Sequence, residues 1–131
     1  MRTINLLLLL TFVMPFVGCR DVSPANNVAV QIVNRSGKAI DYLSFSTNRG
    51  QGSVQKPGLK QQQTLAFNFE FANVDKTDGS YRLRYKVAAS ADTLTETFGY
   101  YTNGYPLDSQ LDIAVYDDSM SVRTTPKKSS Y

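Results

Sequence analysis

The sequence predicts a small all-β domain, an antiparallel β-sandwich of immunoglobulin-like or similar topology with six to seven strands. Three observations carry that expectation. From Val28 onward the apolar residues recur every second position. The apolar runs are short, nearly evenly spaced and divided by turns rich in Gly, Asn and Asp. No stretch beyond the N-terminal segment repeats with the 3.6-residue period of an amphipathic helix. A small barrel accounts for the same pattern, and the Cys–Trp–Cys hallmark of true immunoglobulin domains is missing, because the chain has one Cys and no Trp.

Each element follows from its own residues. Val28, Val30 and Ile32 alternate with Ala29, Gln31 and Val33, as in a strand with one buried face. Arg35-Ser36-Gly37-Lys38 supplies a turn, and Ala39 to Thr47 forms the return strand. Leu43 and Phe45 share a face there, while Ile40 is out of phase with them, which predicts a bulge or a later start. Asn48 to Gly58, with three glycines and Pro57, is expected to be a loop. Leu65, Phe67, Phe69 and Phe71 then give one strand a nearly all-aromatic face. Tyr81, Leu83, Tyr85 and Val87 give the next strand a similar one, after a turn at Asp78-Gly79. Thr93 to Tyr101 is the fifth strand, with Leu94 and Phe98 expected inward. Ser109 to Tyr116 is the sixth, through Leu111, Ile113 and Val115, and Met120 to Thr124 a short seventh. The domain is therefore expected over 28–124, with 125–131 as a flexible tail.

The N-terminus has a different chemistry. Arg2 precedes an apolar run from Ile4 to Phe16, and Pro15 breaks its helical potential just before Phe16-Val17-Gly18-Cys19. The run is shorter than the ~20 residues that span a bilayer, so it reads as a signal-peptide core over 1–18. Phe16-Val17-Gly18-Cys19 resembles the lipobox of bacterial lipoproteins, departing from the commoner Leu at Phe16. The resemblance implies cleavage before Cys19, transfer of a diacylglyceryl group to its sulfur, and acylation of its new amine. Two or three chains on one residue anchor a protein stably, where one alone is marginal. Residues 19–27 would then be a lipidated tether. Fully extended, the eight residues from Arg20 to Asn27 reach at most ~26–29 Å, so the domain would sit close to the membrane. Arg20, standing where some lipoproteins carry an inner-membrane retention Asp, favours the outer membrane if the cell is Gram-negative.

Removing 18 of 131 residues leaves 113, enough for a core that needs neither disulfide nor metal. The core must supply all the stability, because the only cysteine is Cys19 and no internal disulfide can form. Once Arg2 has left with the leader, 13 basic side chains face 11 acidic ones, too even a balance for a nucleic-acid binder.

Catalysis is disfavoured by what is missing. The chain has no His, hence no usual base for a Ser or Cys nucleophile and no common zinc ligand. Glu70, Glu96 and the aspartates could in principle form a hydrolytic pair, but most of the Asp residues fall in predicted turns. Asp75-Lys76-Thr77-Asp78-Gly79 lacks the spacing and distal Glu of a calcium loop, and Asp117-Asp118 reads as a hairpin turn. No cofactor or metal is expected. Two features remain as binding candidates. Arg82, Arg84 and Lys86 alternate with the apolar residues of their strand, giving a row of positive charge that is either a solvated face or a contact for anionic envelope material. Tyr100, Tyr101, Asn103 and Tyr105 surround an Asn-Gly turn, where tyrosines either close one end of the sandwich or recognise a partner. The sequence thus points to a non-catalytic binding or structural module of the cell envelope. Its expected partners are the membrane, through the acyl chains on Cys19, and an envelope protein or glycan, with no role for nucleic acid. The alternative function is inhibition of, or immunity to, an envelope-targeting hydrolase or toxin.

Overall fold

Strand-forming alternation dominates the computed structural model, which describes residues 26–128; its secondary structure there consists of strands, turns and bends. Nine strands follow one another: β1 (Asn27–Asn34), β2 (Ile40–Thr47), β3 (Val54–Leu59), β4 (Thr64–Glu70), β5 (Gly79–Val87), β6 (Leu94–Thr102), β7 (Tyr105–Pro106), β8 (Asp108–Val115) and β9 (Met120–Pro126). They form two sheets, one ordered β4-β1-β8-β9 and the other β3-β2-β5-β6-β7, that face each other as a sandwich. The all-β expectation is met, with nine strands in place of six or seven. One pairing departs from the antiparallel rule: β1 runs parallel to β8, with Val30 opposite Leu111 and Ile32 opposite Ile113.

The core lies where the alternation directed it. Val28, Val30 and Ile32 of β1, Leu111, Ile113 and Val115 of β8, and Tyr81, Leu83, Tyr85 and Val87 of β5 are all buried. Phe45 sits among rings from both sheets, edge-on to Phe69 at 5.0 Å and Phe67 at 5.7 Å, and stacked on Tyr81 at 5.7 Å. Edge-to-face and offset contacts of this kind add to the free energy of burying the rings. At the corner after β1, Asn34 is wholly buried and fully engaged. Its Nδ2 donates to the carbonyls of Lys38 and Leu59, and its Oδ1 accepts from the Ser36 amide and hydroxyl.

The irregularity expected at Ile40 is present, and three differences from the sequence expectations have local causes. The segment expected to be a loop contains β3, which tolerates Pro57 because it lies at a sheet edge and pairs with β2 alone. The irregularity at Ile40 is a register shift between Ile40 and Tyr42 against β5. A second shift lies between Gly79 and Tyr81 on β5, opposite Gly99, whose φ of 63° admits a bulge. That bulge turns Tyr101 inward. Finally, Leu94, expected inward, pairs with buried Tyr85 but is 37% exposed. β6 lies near the margin of the five-stranded sheet, and the opposite sheet, with four strands, leaves most of its length uncovered. At the C-terminal end the β8–β9 ladder runs past residue 124 to Pro126, and the Lys127 amide donates to the Leu107 carbonyl.

Candidate functional site

The strand ends define two poles. Because β1 and β8 are parallel, the chain enters β1 at the same end at which β8 begins, β4 ends and β6 turns into β7. The tyrosine turn therefore lies at the pole where the N-terminal segment joins the domain. Asp78 organises it. The Asp78 carboxylate accepts from the Tyr100 hydroxyl at 2.6 Å, the Thr102 hydroxyl at 2.7 Å and the Asn103 amide at 2.9 Å. These bonds, the one from Tyr100 foremost, hold the Asp78 carboxyl below the usual carboxylate range and push the Tyr100 phenol up. Asn103 takes a φ of 49°, as Asn readily does, and the Gly104 amide donates to the Thr77 carbonyl. Asp78 is thus a strut between two loops.

The four candidates of this turn separate. Tyr101 is no surface residue: it is fully buried against Phe71 at 5.2 Å and Tyr81 at 5.9 Å, and its hydroxyl finds no partner. Period-two alternation alone did not locate the bulge that turned it. Tyr100 is 48% exposed but tied to Asp78, Asn103 is exposed in the turn, and Tyr105 is 47% exposed with Leu107 beside it at 46%. The basic row lies on the outer face of the five-stranded sheet, as its alternation with buried neighbours required. Arg82, Arg84 and Lys86 stand opposite Ser46, Ser44 and Tyr42 of β2; Arg84 is exposed, and Arg82 and Lys86 are half-buried. Arg82 lies along the β2–β3 turn, with an Nη atom near Gly50.

Asp117 accepts from the Gly37 amide at 2.9 Å, closing the opposite pole, and among the described residues no three Asp or Glu side chains converge as metal ligands would. Cys19 lies outside the described residues.

A surface the alternation did not single out lies on the outer face of the four-stranded sheet. A shallow groove of about 760 Å³ runs there toward the pole away from the N-terminal segment. Gln31, Gln110, Asp112, Arg123, Arg35 and Tyr116 supply its polar and aromatic groups. In the ladder Gln31 stands opposite Asp112, and Asp112 opposite Arg123, so amide, carboxylate and guanidinium form one row across three strands. The Gln110 amide donates to Asp112 at 2.7 Å, fixing both side chains. Gln31, Gln110, Asp112 and Arg123 are unremarkable outward positions on their own strands, and Arg35 and Tyr116 follow directly on β1 and β8. The β8–β9 hairpin sets Asp112 beside Arg123, and the parallel β1–β8 pairing, which no sequence signal announces, adds Gln31 to the row.

The described residues define an all-β two-sheet sandwich. No family model matches the chain, and no curated protein matches it. It is similar in structure to a protein from Eubacterium rectale solved by NMR, with a TM-score of 0.54 at 10% identity over 85% of this chain and 98% of that one. At that identity the likeness is one of fold alone.

Proposed function

We propose that this chain is a lipid-anchored, non-catalytic binding module of the bacterial cell envelope, and that the groove on the four-stranded sheet is its recognition surface. The lipobox-like Phe16-Val17-Gly18-Cys19 supports the anchor. The observation that carries the binding role is the row Gln31–Asp112–Arg123, flanked by Gln110 and Tyr116 on an open, ungated surface. Side-chain amides, a carboxylate and a guanidinium spaced along neighbouring strands match the alternating hydroxyl donors and acceptors of a glycan, and an exposed ring beside them offers a stacking face. An extended, open groove suits a polymer better than a small molecule, which favours concave sites that enclose most of its surface.

The test is binding of the full, lipidated chain in detergent to purified envelope polysaccharides, compared with Gln31→Ala, Asp112→Ala and Arg123→Ala. The expected result is at least a tenfold rise in Kd for Asp112→Ala and Arg123→Ala with melting temperature little changed. Equal binding by all forms would remove the groove from the proposal.

The second reading is an inhibitor or immunity protein. Its support lies in the exposed Tyr105 and Leu107, two apolar side chains on a short edge segment of the kind that can enter another protein's cleft. Crosslinking in intact cells with an affinity-tagged chain separates the two: one dominant hydrolase or foreign effector among the captured proteins supports inhibition, and its absence removes it.

A further inference from the structure

Resting on the anchor reading above, we infer that the pole bearing Tyr105 and Leu107 is a membrane-docking rim, which seats the domain end-on in the lipid headgroup layer. The chain outside the described residues fixes the geometry. Asn26, whose carbonyl accepts from the Phe71 amide, leads into β1 at that pole, and only the short segment from Arg20 separates it from Cys19. Six residues before Asn26 reach ~20–22 Å at full extension, so this pole faces the bilayer and the far one cannot without the domain folding back on its tether. The strands of β1 and β8, eight residues each, hold the two poles roughly 25 Å apart.

What is exposed at this pole fits a headgroup layer. Tyr105 at 47% and Leu107 at 46% sit on the β6–β7–β8 margin, and Tyr100 of β6, also exposed at this pole, is tied down by Asp78. Tyrosine combines an apolar ring with a polar tip and concentrates at membrane–water interfaces for that reason. Lys76 adjoins the same turn, since the Asp75 carbonyl and the Lys76 Cα pack on Gly104. Lys127 is held to Leu107 through its backbone, with Lys128 following, and burial pulls its ammonium pKa down. Asp75, Asp108 and Glu70 share the pole, so its net charge is mixed and attraction to anionic lipid is not what attaches it. Attachment belongs to the acyl chains. The tether raises the local concentration of membrane surface, so two interfacial side chains suffice to choose an orientation. In that orientation the groove, which opens toward the far pole, points away from the bilayer.

The absence of Trp makes a direct test possible. Tyr105→Trp places a single indole on the rim, and Tyr116→Trp, at a 41% exposed position on the far pole, places one on the opposite end. Each full, lipidated chain is reconstituted in phosphatidylethanolamine–phosphatidylglycerol vesicles carrying bromine near the head of the acyl chains. Docking predicts that emission from the Tyr105→Trp protein falls at least twofold while that from the Tyr116→Trp protein is unchanged. Leu107→Trp reports on the same pole if Tyr105→Trp disturbs folding, judged by circular dichroism. Vesicle-bound protein with no quenching at either pole, or quenching at Tyr116→Trp alone, overturns the docking rim and leaves the anchor standing. Protein that stays in solution with Cys19 intact, just as Cys19→Ser does, overturns the anchor and the rim together.

Discussion

Asn34 shows how far one buried polar side chain reaches in a domain without disulfides. It satisfies the Lys38 and Leu59 carbonyls and the Ser36 amide and hydroxyl from a wholly buried position. Asn34→Ala leaves several of these groups without partners and is expected to cost about 2–4 kcal/mol, measurable by urea unfolding. Tyr101 and Tyr105 make a sharper pair. Tyr101→Ala removes a ring packed on Phe71 and Tyr81 and should cost about 3–5 kcal/mol, whereas Tyr105→Ala should stay within about 0.5 kcal/mol of the parent. The Asp78 strut carries a pH signature. Its folded pKa lies below the unfolded value, so its contribution is present above that value and is lost as pH falls through the folded pKa. Asp78→Asn should therefore narrow the gap in melting temperature between neutral and strongly acidic solution, and an unchanged gap would remove Asp78 as its cause.

Among the elements, the turn between β2 and β3 is tightly constrained. Gly52 has a φ of 66°, and a Cβ there would meet the Phe69 ring at 2.6 Å. Gly52→Ala combines left-handed strain with core overpacking and is expected to destabilise by about 2–4 kcal/mol in the same unfolding assay. β3 itself illustrates a limit on reading elements from residues. Gly58 and Pro57 argue against a strand in the middle of a sheet, and the argument fails here because β3 needs only one partner. The bulge at Gly99 illustrates another: up to Phe98 β6 keeps a regular register with β5, and beyond it the inward side is occupied by Tyr101. The extra residue is invisible until a partner strand supplies the register.

Across the whole molecule, stability rests on an apolar and aromatic core into which three tyrosine rings, those of Tyr81, Tyr85 and Tyr101, are drawn. Burial is the chief cause that pushes both the Tyr81 and the Tyr85 phenols above their ordinary value. In the unfolded chain both ionise near pH ~10. Their contribution is thus complete below that value and declines as pH rises above it, so melting temperature should fall steeply on the alkaline side. Tyr85→Phe should blunt the fall; an identical alkaline limb in that variant would place its origin elsewhere. The same scale assigns the surfaces their directions. The turn with Tyr105 lies where the chain enters β1, the basic row lies along one outer face, and the polar groove lies on the other.

The sequence by itself determined the all-β class, the inward and outward faces of most strands, the irregularity at Ile40 and the outward basic row, because period-two burial is a local property written residue by residue. It also carries Phe16-Val17-Gly18-Cys19, the contiguous segment on which the proposed anchor rests. Tertiary structure alone decided the parallel pairing of β1 with β8, the existence of β3, the burial of Tyr101, the exposure of Leu94 and the assembly of the groove. Each of these depends on which distant strand lies alongside. Backbone hydrogen bonds make that choice for the sheet as a whole, and they leave no trace in the side-chain pattern of a single strand.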